Sequence, residues 1–162
     1  MERKASRIVI LGTLLVLALV VAAPAAASSG RNFRAHLAGR NEVPAVDTNA
    51  QGQAIFQLSQ DGTNLSYKLI VANIDNVFAS HIHCAPAGVN GPVGVTLFSG
   101  PPNGGRFDGV LAEGTITTPN PGNACGWVTL QDVLAAITSS GAYANVHTNP
   151  GFLGGEIRGQ IH

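Results

Sequence analysis

Three of the five histidines lie in two short apolar segments that could form neighbouring strands. His81 and His83 are two residues apart, a spacing that puts both side chains on one face of a β-strand. His147 follows in the second segment, and Asn145 shares its face. Three convergent imidazoles could bind copper or zinc and leave one coordination position open. They could equally hydrogen-bond loop backbones as a structural polar network, so both interpretations stay open.

Cys84 and Cys125 are the only cysteines of the chain. In an exported protein such a pair predicts one disulfide. The alternative makes Cys84 a thiolate metal ligand beside His83. Strand alternation places Val77 on the face of the histidines, and Phe78 and Cys84 on the opposite face. This orientation favours the disulfide.

The first 27 residues have the layout of a secretory signal peptide. Arg3, Lys4 and Arg7 precede an apolar run from Ile8 to Val21, and small residues follow at 25–27. The apolar run is short for a membrane span of about 20 residues. We therefore expect a signal peptide at 1–27 and one domain at 28–162, secreted, at the cell surface or in the periplasm. A segment that stays uncleaved and anchors the chain in the membrane is the alternative.

The composition of the whole sequence indicates a turn-rich β protein. Charged residues make up only 11% of the sequence, and there are 20 glycines. Without Glu2, Arg3, Lys4 and Arg7, six basic and eight acidic residues remain, which gives a net charge of −2. With no basic patch, nucleic acid is an unexpected partner. An unidentified protein or surface ligand is the partner class that is left.

Strand-like segments recur at short spacing, and one helix interrupts them. Thr129 and Asp132 resemble a capping box, apolar residues with helical spacing follow, and Gly141 can end the helix. The Asp61-Gly62 pair between two alternating runs predicts a hairpin. The predicted strands are 32–38, 52–59, 65–71, 77–84, 93–98, 110–118, 142–147 and 156–161. An all-β sandwich with one short connecting helix is the expected architecture.

Five short motifs occur in the order in which a known family carries them. They are Asn41–Val46, His81–His83, Gly88–Val93, Ala142–Thr148 and Gly155–Ile161. Together they closely resemble the CHRD domain, named after chordin and widespread in exported bacterial proteins. The resemblance runs from Phe33 to Ile161. It implies an immunoglobulin-like Greek-key β-sandwich, distantly similar to Cu,Zn superoxide dismutases, and no settled biochemical activity.

The likeness to the dismutases bears on the histidines. Those enzymes bind copper with a His-x-His pair and a histidine on a late strand, a pattern that His81, His83 and His147 match. The histidine that bridges copper to zinc and the zinc ligands have no counterpart here. The resemblance therefore implies at most a mononuclear copper site. Arg158 stands near the position of an anion-guiding arginine in those enzymes.

Asn145, Glu156 and Arg158 are candidates to orient the three histidines. If the last strand lies beside the strand of His147, Glu156 could accept a proton from His147. Arg158 is expected to bind loop carbonyls, because a guanidinium has five donors and no acceptor.

The residues favour a binding module over an enzyme. A Gly-x-Ser-x-Gly nucleophile motif and a pair of neighbouring carboxylates for glycoside hydrolysis are both missing. The predicted function is an exported, non-catalytic binding or structural module with no required cofactor. The alternative is a mononuclear copper protein with dismutase-like redox chemistry at His81, His83 and His147.

Overall fold

The computed structural model describes residues 31–101 and 104–162. They form eight antiparallel strands, one α-helix and one 3₁₀ turn, so the expected all-β class with one short helix is confirmed. The predicted signal peptide at 1–27 lies outside the described residues. The strands are β1 (Asn32–Ala38), β2 (Gln51–Leu58), β3 (Leu65–Asp75), β4 (Val77–Cys84), β5 (Val93–Ser99), β6 (Arg106–Ile116), β7 (Ala142–Thr148) and β8 (Ile157–Gln160). The 3₁₀ turn is Gly39–Asn41, and the helix α1 is Leu130–Thr138.

Hydrogen bonds join all eight strands in one sheet, in the order β5-β4-β7-β8-β1-β2-β3-β6. The sheet curls over its own core until its two ends approach each other. Near that seam the Tyr67 hydroxyl of β3 donates a hydrogen bond of 2.6 Å to the carbonyl of Leu97 in β5. The result is a sandwich-like, nearly closed barrel whose inner face forms the hydrophobic core.

The β2–β3 hairpin shows how the sequence directs this fold. Leu65, Leu69 and Val71 alternate along β3 and are buried in the core, as their spacing predicts. Leu58 pairs with Leu65 across the hairpin. Gly62 in the connecting turn has a φ of 73°, a left-handed conformation that glycine adopts without steric cost.

The helix begins where its capping residues predict. The side chain of Thr129 accepts a hydrogen bond from the backbone of Asp132, whose carboxylate accepts one from the backbone of Thr129. The helix was expected to end at Gly141, but its last residue is Thr138. Ser140 takes the left-handed conformation with a φ of 58°, and Gly141 donates its N–H to the carbonyl of Ala136.

Strand β4 departs from simple alternation at its start. Its pairing with β7 shifts register between Val77 and Ala79. Val77 therefore belongs to the core, and the ring of Phe78 stands edge-on to His147 with centroids 6.1 Å apart. The predicted assignment of these two side chains was wrong, because a bulge inserts one residue and reverses the faces before it.

Cys84 and Cys125 form a disulfide, with their Cα atoms 5.8 Å apart. The bond links the end of β4 to the loop that precedes α1, as the cysteine count predicted. No helix in the described part of the chain is long and apolar enough to cross a membrane.

Candidate metal centre

The three histidines meet because β4 and β7 are neighbours in the sheet. Ala79 pairs with His147, and His81 pairs with Asn145. The alternate residues of both strands point into the core, so the histidines lie on the opposite face. One nitrogen from each of His81, His83 and His147 lies within 4.8 Å of the other two. The structure thus supplies the strand adjacency that the spacing alone could not.

Two backbone carbonyls fix the orientation of two of the rings. Nδ1 of His83 lies 2.9 Å from the carbonyl oxygen of Gly91, and Nδ1 of His147 lies 3.0 Å from that of Leu153. A carbonyl only accepts, so each Nδ1 carries the proton and each Nε2 keeps its lone pair. Imidazole ligands of metals are commonly held by such a bond at the other ring nitrogen.

The remaining ring nitrogens of the cluster lie close together. Nε2 of His147 lies 3.1 Å from Nδ1 of His81, which can donate to it in the absence of a metal. Nε2 of His83 is buried and has no hydrogen-bond partner among the described residues. A buried nitrogen without a partner is costly, and a bound cation would satisfy it.

Burial keeps the three rings in the neutral form that metals require. It lowers the pKa of His81 to about 4, helped by the neighbouring His147 and His83. Burial also lowers the pKa of His83 to about 4; the hydrogen bond to the carbonyl of Gly91 opposes this shift, and the nearby His147 and Arg158 add to it. The pKa of His147 is lowered by burial as well. At neutral pH no proton has to leave the cluster before a cation binds.

The spacing of the nitrogens fits one metal ion. Ligand bonds of about 2.0–2.1 Å place neighbouring nitrogens about 3–4 Å apart, and the nitrogens of the three rings lie within 4.8 Å of one another. His81 is partly exposed, whereas His83 and His147 are buried. The centre is therefore closed on one side and open to solvent on the side of His81.

Tyr143 was not selected from the sequence, although it contacts a candidate ligand. Its ring is stacked on that of His83, with an interplanar angle of 5° and centroids 4.9 Å apart. Its hydroxyl accepts a hydrogen bond of 3.2 Å from the N–H of Gly91. The pairing of Tyr143 with His83 across β7 and β4 produces this stack, and it follows from register rather than from any local motif.

Arg158 has the structural role that its donors predicted. The guanidinium donates to the carbonyls of Asn41 and Val89 and to Oδ1 of Asn90, at 2.9, 3.1 and 2.9 Å. It also lies over the ring of Tyr143, 4.7 Å from its centroid. Only 4% of its side chain is exposed, so it cannot guide anions from solvent. The structure therefore does not fit the anion-guiding role that the resemblance to the dismutases suggested.

Glu42 is a second residue that was not among the predicted site residues. Its Oε2 lies 3.2 Å from Nε of Arg158, and both side chains are buried. Burial is the larger effect on this carboxyl and raises its pKa to about 7, although Arg158 opposes the shift. The motif that resembles the CHRD domain contained Glu42, but its partner lies in β8, too far along the chain for a local pattern to reveal.

The other two candidates, Glu156 and Asn145, make no side-chain hydrogen bond to a histidine within the described residues. Glu156 accepts hydrogen bonds from Thr48 and Thr148, at 2.7 and 2.8 Å. The predicted bond from His147 to Glu156 is wrong, because the carbonyl of Leu153 already occupies Nδ1. Asn145 is buried beside His81, and its Oδ1 has no partner in the described part of the chain.

Comparison with known proteins agrees with the fold and the motifs. The family model of the CHRD domain matches residues 33–161, which is most of the chain. No match was found among curated proteins or among solved structures. The histidines, Tyr143 and Arg158 all lie within the matched residues. The chain therefore belongs to the CHRD domain family.

Proposed function

We propose that this CHRD domain is an exported binding module whose ligand is a single copper ion, held by His81, His83 and His147. The observation that carries the proposal is the preset orientation of the rings. The carbonyls of Gly91 and Leu153 hold two Nδ1 protons, so that Nε2 of His83 and Nε2 of His147 both keep a lone pair for a metal.

The donor set favours copper among the common metals. Within the described residues, the cluster contains three imidazoles and no carboxylate or thiolate. Imidazole suits copper and zinc, whereas magnesium and calcium need oxygen ligands. Among divalent first-row metals copper binds most tightly to a given nitrogen site. A site with three imidazoles and an open position therefore selects copper over zinc where both are offered.

The surroundings of the site favour metal binding rather than catalysis on a small anionic substrate. Arg158 is buried and its donors are already used by loop oxygens and by Glu42. It is thus not available to attract an anionic substrate to the open position beside His81. We therefore propose binding, without dismutase-like catalysis, as the role of this centre.

Export accounts for the disulfide next to the site. Cys84 follows His83 by one residue, and its bond to Cys125 anchors the end of β4. Such a bond persists in an oxidising compartment. The basic and apolar pattern of the first 27 residues supplies the signal, and recovery of a mature chain that begins near residue 28 from the periplasm or medium would support it.

Measuring the metal bound to the purified protein tests the proposed copper site. The purified protein is stripped with a chelator, offered copper and zinc together, freed of excess metal and measured by mass spectrometry of the elements. We expect about one copper per chain and little zinc. His83→Ala should abolish this binding while the strands stay folded by circular dichroism. The matched control is His36→Ala, which removes an exposed histidine of β1. Copper well below one per chain in the unaltered protein, or equal loss in both variants, would refute the site.

A further inference from the structure

The buried positive charge of Arg158 is separated from the candidate ligand His83 by one aromatic ring, that of Tyr143. The guanidinium of Arg158 is 4.7 Å from the centroid of Tyr143, and Tyr143 is stacked on His83 at 4.9 Å. These two spacings put the charge within roughly 10 Å of the centroid of the His83 ring, since each layer of the stack adds about 5 Å. The three groups form an ordered column from β8 through β7 to β4.

The charge of Arg158 is permanent and poorly screened. A guanidinium stays protonated in proteins at any ordinary pH. Only 4% of its side chain is exposed, so solvent and salt screen it far less than a surface charge. Glu42 is its counter-ion, with Oε2 3.2 Å from Nε. Because burial raises the pKa of Glu42 to about 7, that counter-charge is incomplete at neutral pH.

The three histidine ligands do not neutralise the charge of a bound cation. Three neutral imidazoles contribute no negative charge, so an ion in the centre keeps its full formal charge. Cu(II) carries one more positive charge than Cu(I). A fixed cation nearby therefore raises the free energy of the Cu(II) form more than that of the Cu(I) form.

We propose that Arg158, placed behind Tyr143 and His83, makes this centre hold copper as Cu(I) in preference to Cu(II). The inference rests on the copper site proposed above and names the oxidation state that it selects. At a separation of roughly 10 Å and an effective dielectric constant of about 20, one unit charge changes the ratio of the Cu(I) and Cu(II) affinities by about tenfold. Arg158 acts as a positioning and charge-setting residue and not as a ligand.

Two variants isolate the charge of Arg158. Glu42→Gln removes the counter-ion and keeps its shape, so the cation is left uncompensated. Arg158→Gln is added to Glu42→Gln, because removing the arginine alone would leave a buried carboxylate without its partner. Glu113→Gln is the control: it removes one negative charge at the surface, where Glu113 pairs with Lys68. All are measured at about pH 8.5, where Glu42 of the unaltered protein is ionised.

The readout is the ratio of two affinities, measured by competition with a chromogenic Cu(I) chelator and, separately, with a Cu(II) chelator. We expect Glu42→Gln to increase the preference for Cu(I) and the added Arg158→Gln to reduce it again by about tenfold. Glu113→Gln should leave it unchanged. Equal ratios in the single and double variants would overturn the inference.

Two further outcomes are informative. If the double variant does not fold, Glu42→Gln decides by itself, and an unchanged ratio overturns the role of Arg158. If the unaltered protein binds neither Cu(I) nor Cu(II), the copper site itself is refuted, which is a different result from a site that binds copper without regard to Arg158.

Discussion

The ring of Tyr143 lies parallel to that of His83, with centroids 4.9 Å apart, and the same tyrosine accepts a hydrogen bond from Gly91. Gly91 in turn accepts the Nδ1 proton of His83 through its carbonyl. One side chain thus positions His83 twice, by direct stacking and by holding the residue that fixes its tautomer. Such supporting contacts usually determine how tightly a metal ligand binds.

Replacing Tyr143 by leucine should weaken copper binding by about tenfold or more, because His83 loses its stacking partner and Gly91 loses its anchor. Tyr143→Phe keeps the ring and loses only the hydrogen bond, so we expect a smaller loss. Both affinities can be measured by competition with a chelator of known strength. Equal losses in the two variants would assign the effect to the hydroxyl and refute the role of the stack.

Copper should stay bound to unusually low pH for a histidine site. Protonation of a ring removes the lone pair that binds the metal, and the pKa values of His81 and His83 are both lowered to about 4. Histidines with an ordinary pKa of about 6.5 would begin to lose copper near that pH. We expect full occupancy at about pH 5 in the presence of a weak competing ligand. Half-loss of copper near pH 6.5 would contradict the prediction.

Glu42 should make the stability of the metal-free protein depend on pH. Its pKa is raised from 4.5 to about 7. Between these pH values the carboxyl is therefore mostly protonated in the folded state and mostly ionised in the unfolded state. Its contribution is therefore present below about pH 4.5 and is lost as the pH rises through 7. The free energy of unfolding, relative to Glu42→Gln, should fall by on the order of 2 kcal/mol across this range.

Urea denaturation of both proteins at several pH values measures this difference. The comparison with Glu42→Gln is needed because the lowered pKa values of the histidines act in the opposite direction, and they contribute equally to both proteins. A difference that rises with pH would show that Arg158 stabilises the carboxylate more than burial destabilises it.

Removing the disulfide should destabilise the fold without removing a ligand. Cys84 and Cys125 are 41 residues apart, and closing a loop of that length contributes roughly 3–4 kcal/mol by restricting the unfolded chain. Cys84→Ser combined with Cys125→Ser should lower the free energy of unfolding by this amount. Copper stoichiometry should persist in the folded fraction. Loss of copper from a fully folded variant would instead indicate that the bond positions His83.

Gly159 should tolerate no side chain. A Cβ at this position of β8 would overlap the backbone carbonyl of His36 in β1. Gly159→Ala should therefore destabilise the protein by about 2–3 kcal/mol, because two backbones have to separate. Gly104→Ala is the matched control, since no other atom in the described part of the chain lies within 4 Å of its Cβ position. Thermal unfolding of both variants tests the contrast, and equal melting temperatures would contradict it.

Local patterns in the sequence determined much of the fold. Alternation marked the buried residues of β3, Asp61-Gly62 marked the hairpin, and Thr129 with Asp132 marked the helix start. These features depend on residues close together in the chain, where backbone geometry alone relates spacing to orientation. The disulfide followed from the presence of only two cysteines. The exceptions were Val77 and Phe78, whose faces a bulge in the β4–β7 pairing reversed, and the end of the helix, which lies before Gly141.

The tertiary structure decided the candidate site. Alternation predicted that His81 and His83 share a face, but only the strand order β4-β7 brings His147 beside them. The tautomers depend on the carbonyls of Gly91 and Leu153, which belong to loops whose paths no periodicity specifies. Glu42 forms an ion pair with Arg158, which lies more than a hundred residues further along the chain. Sequence spacing determines on which side of a strand a residue lies, whereas contacts between distant residues depend on how the whole sheet closes around its core.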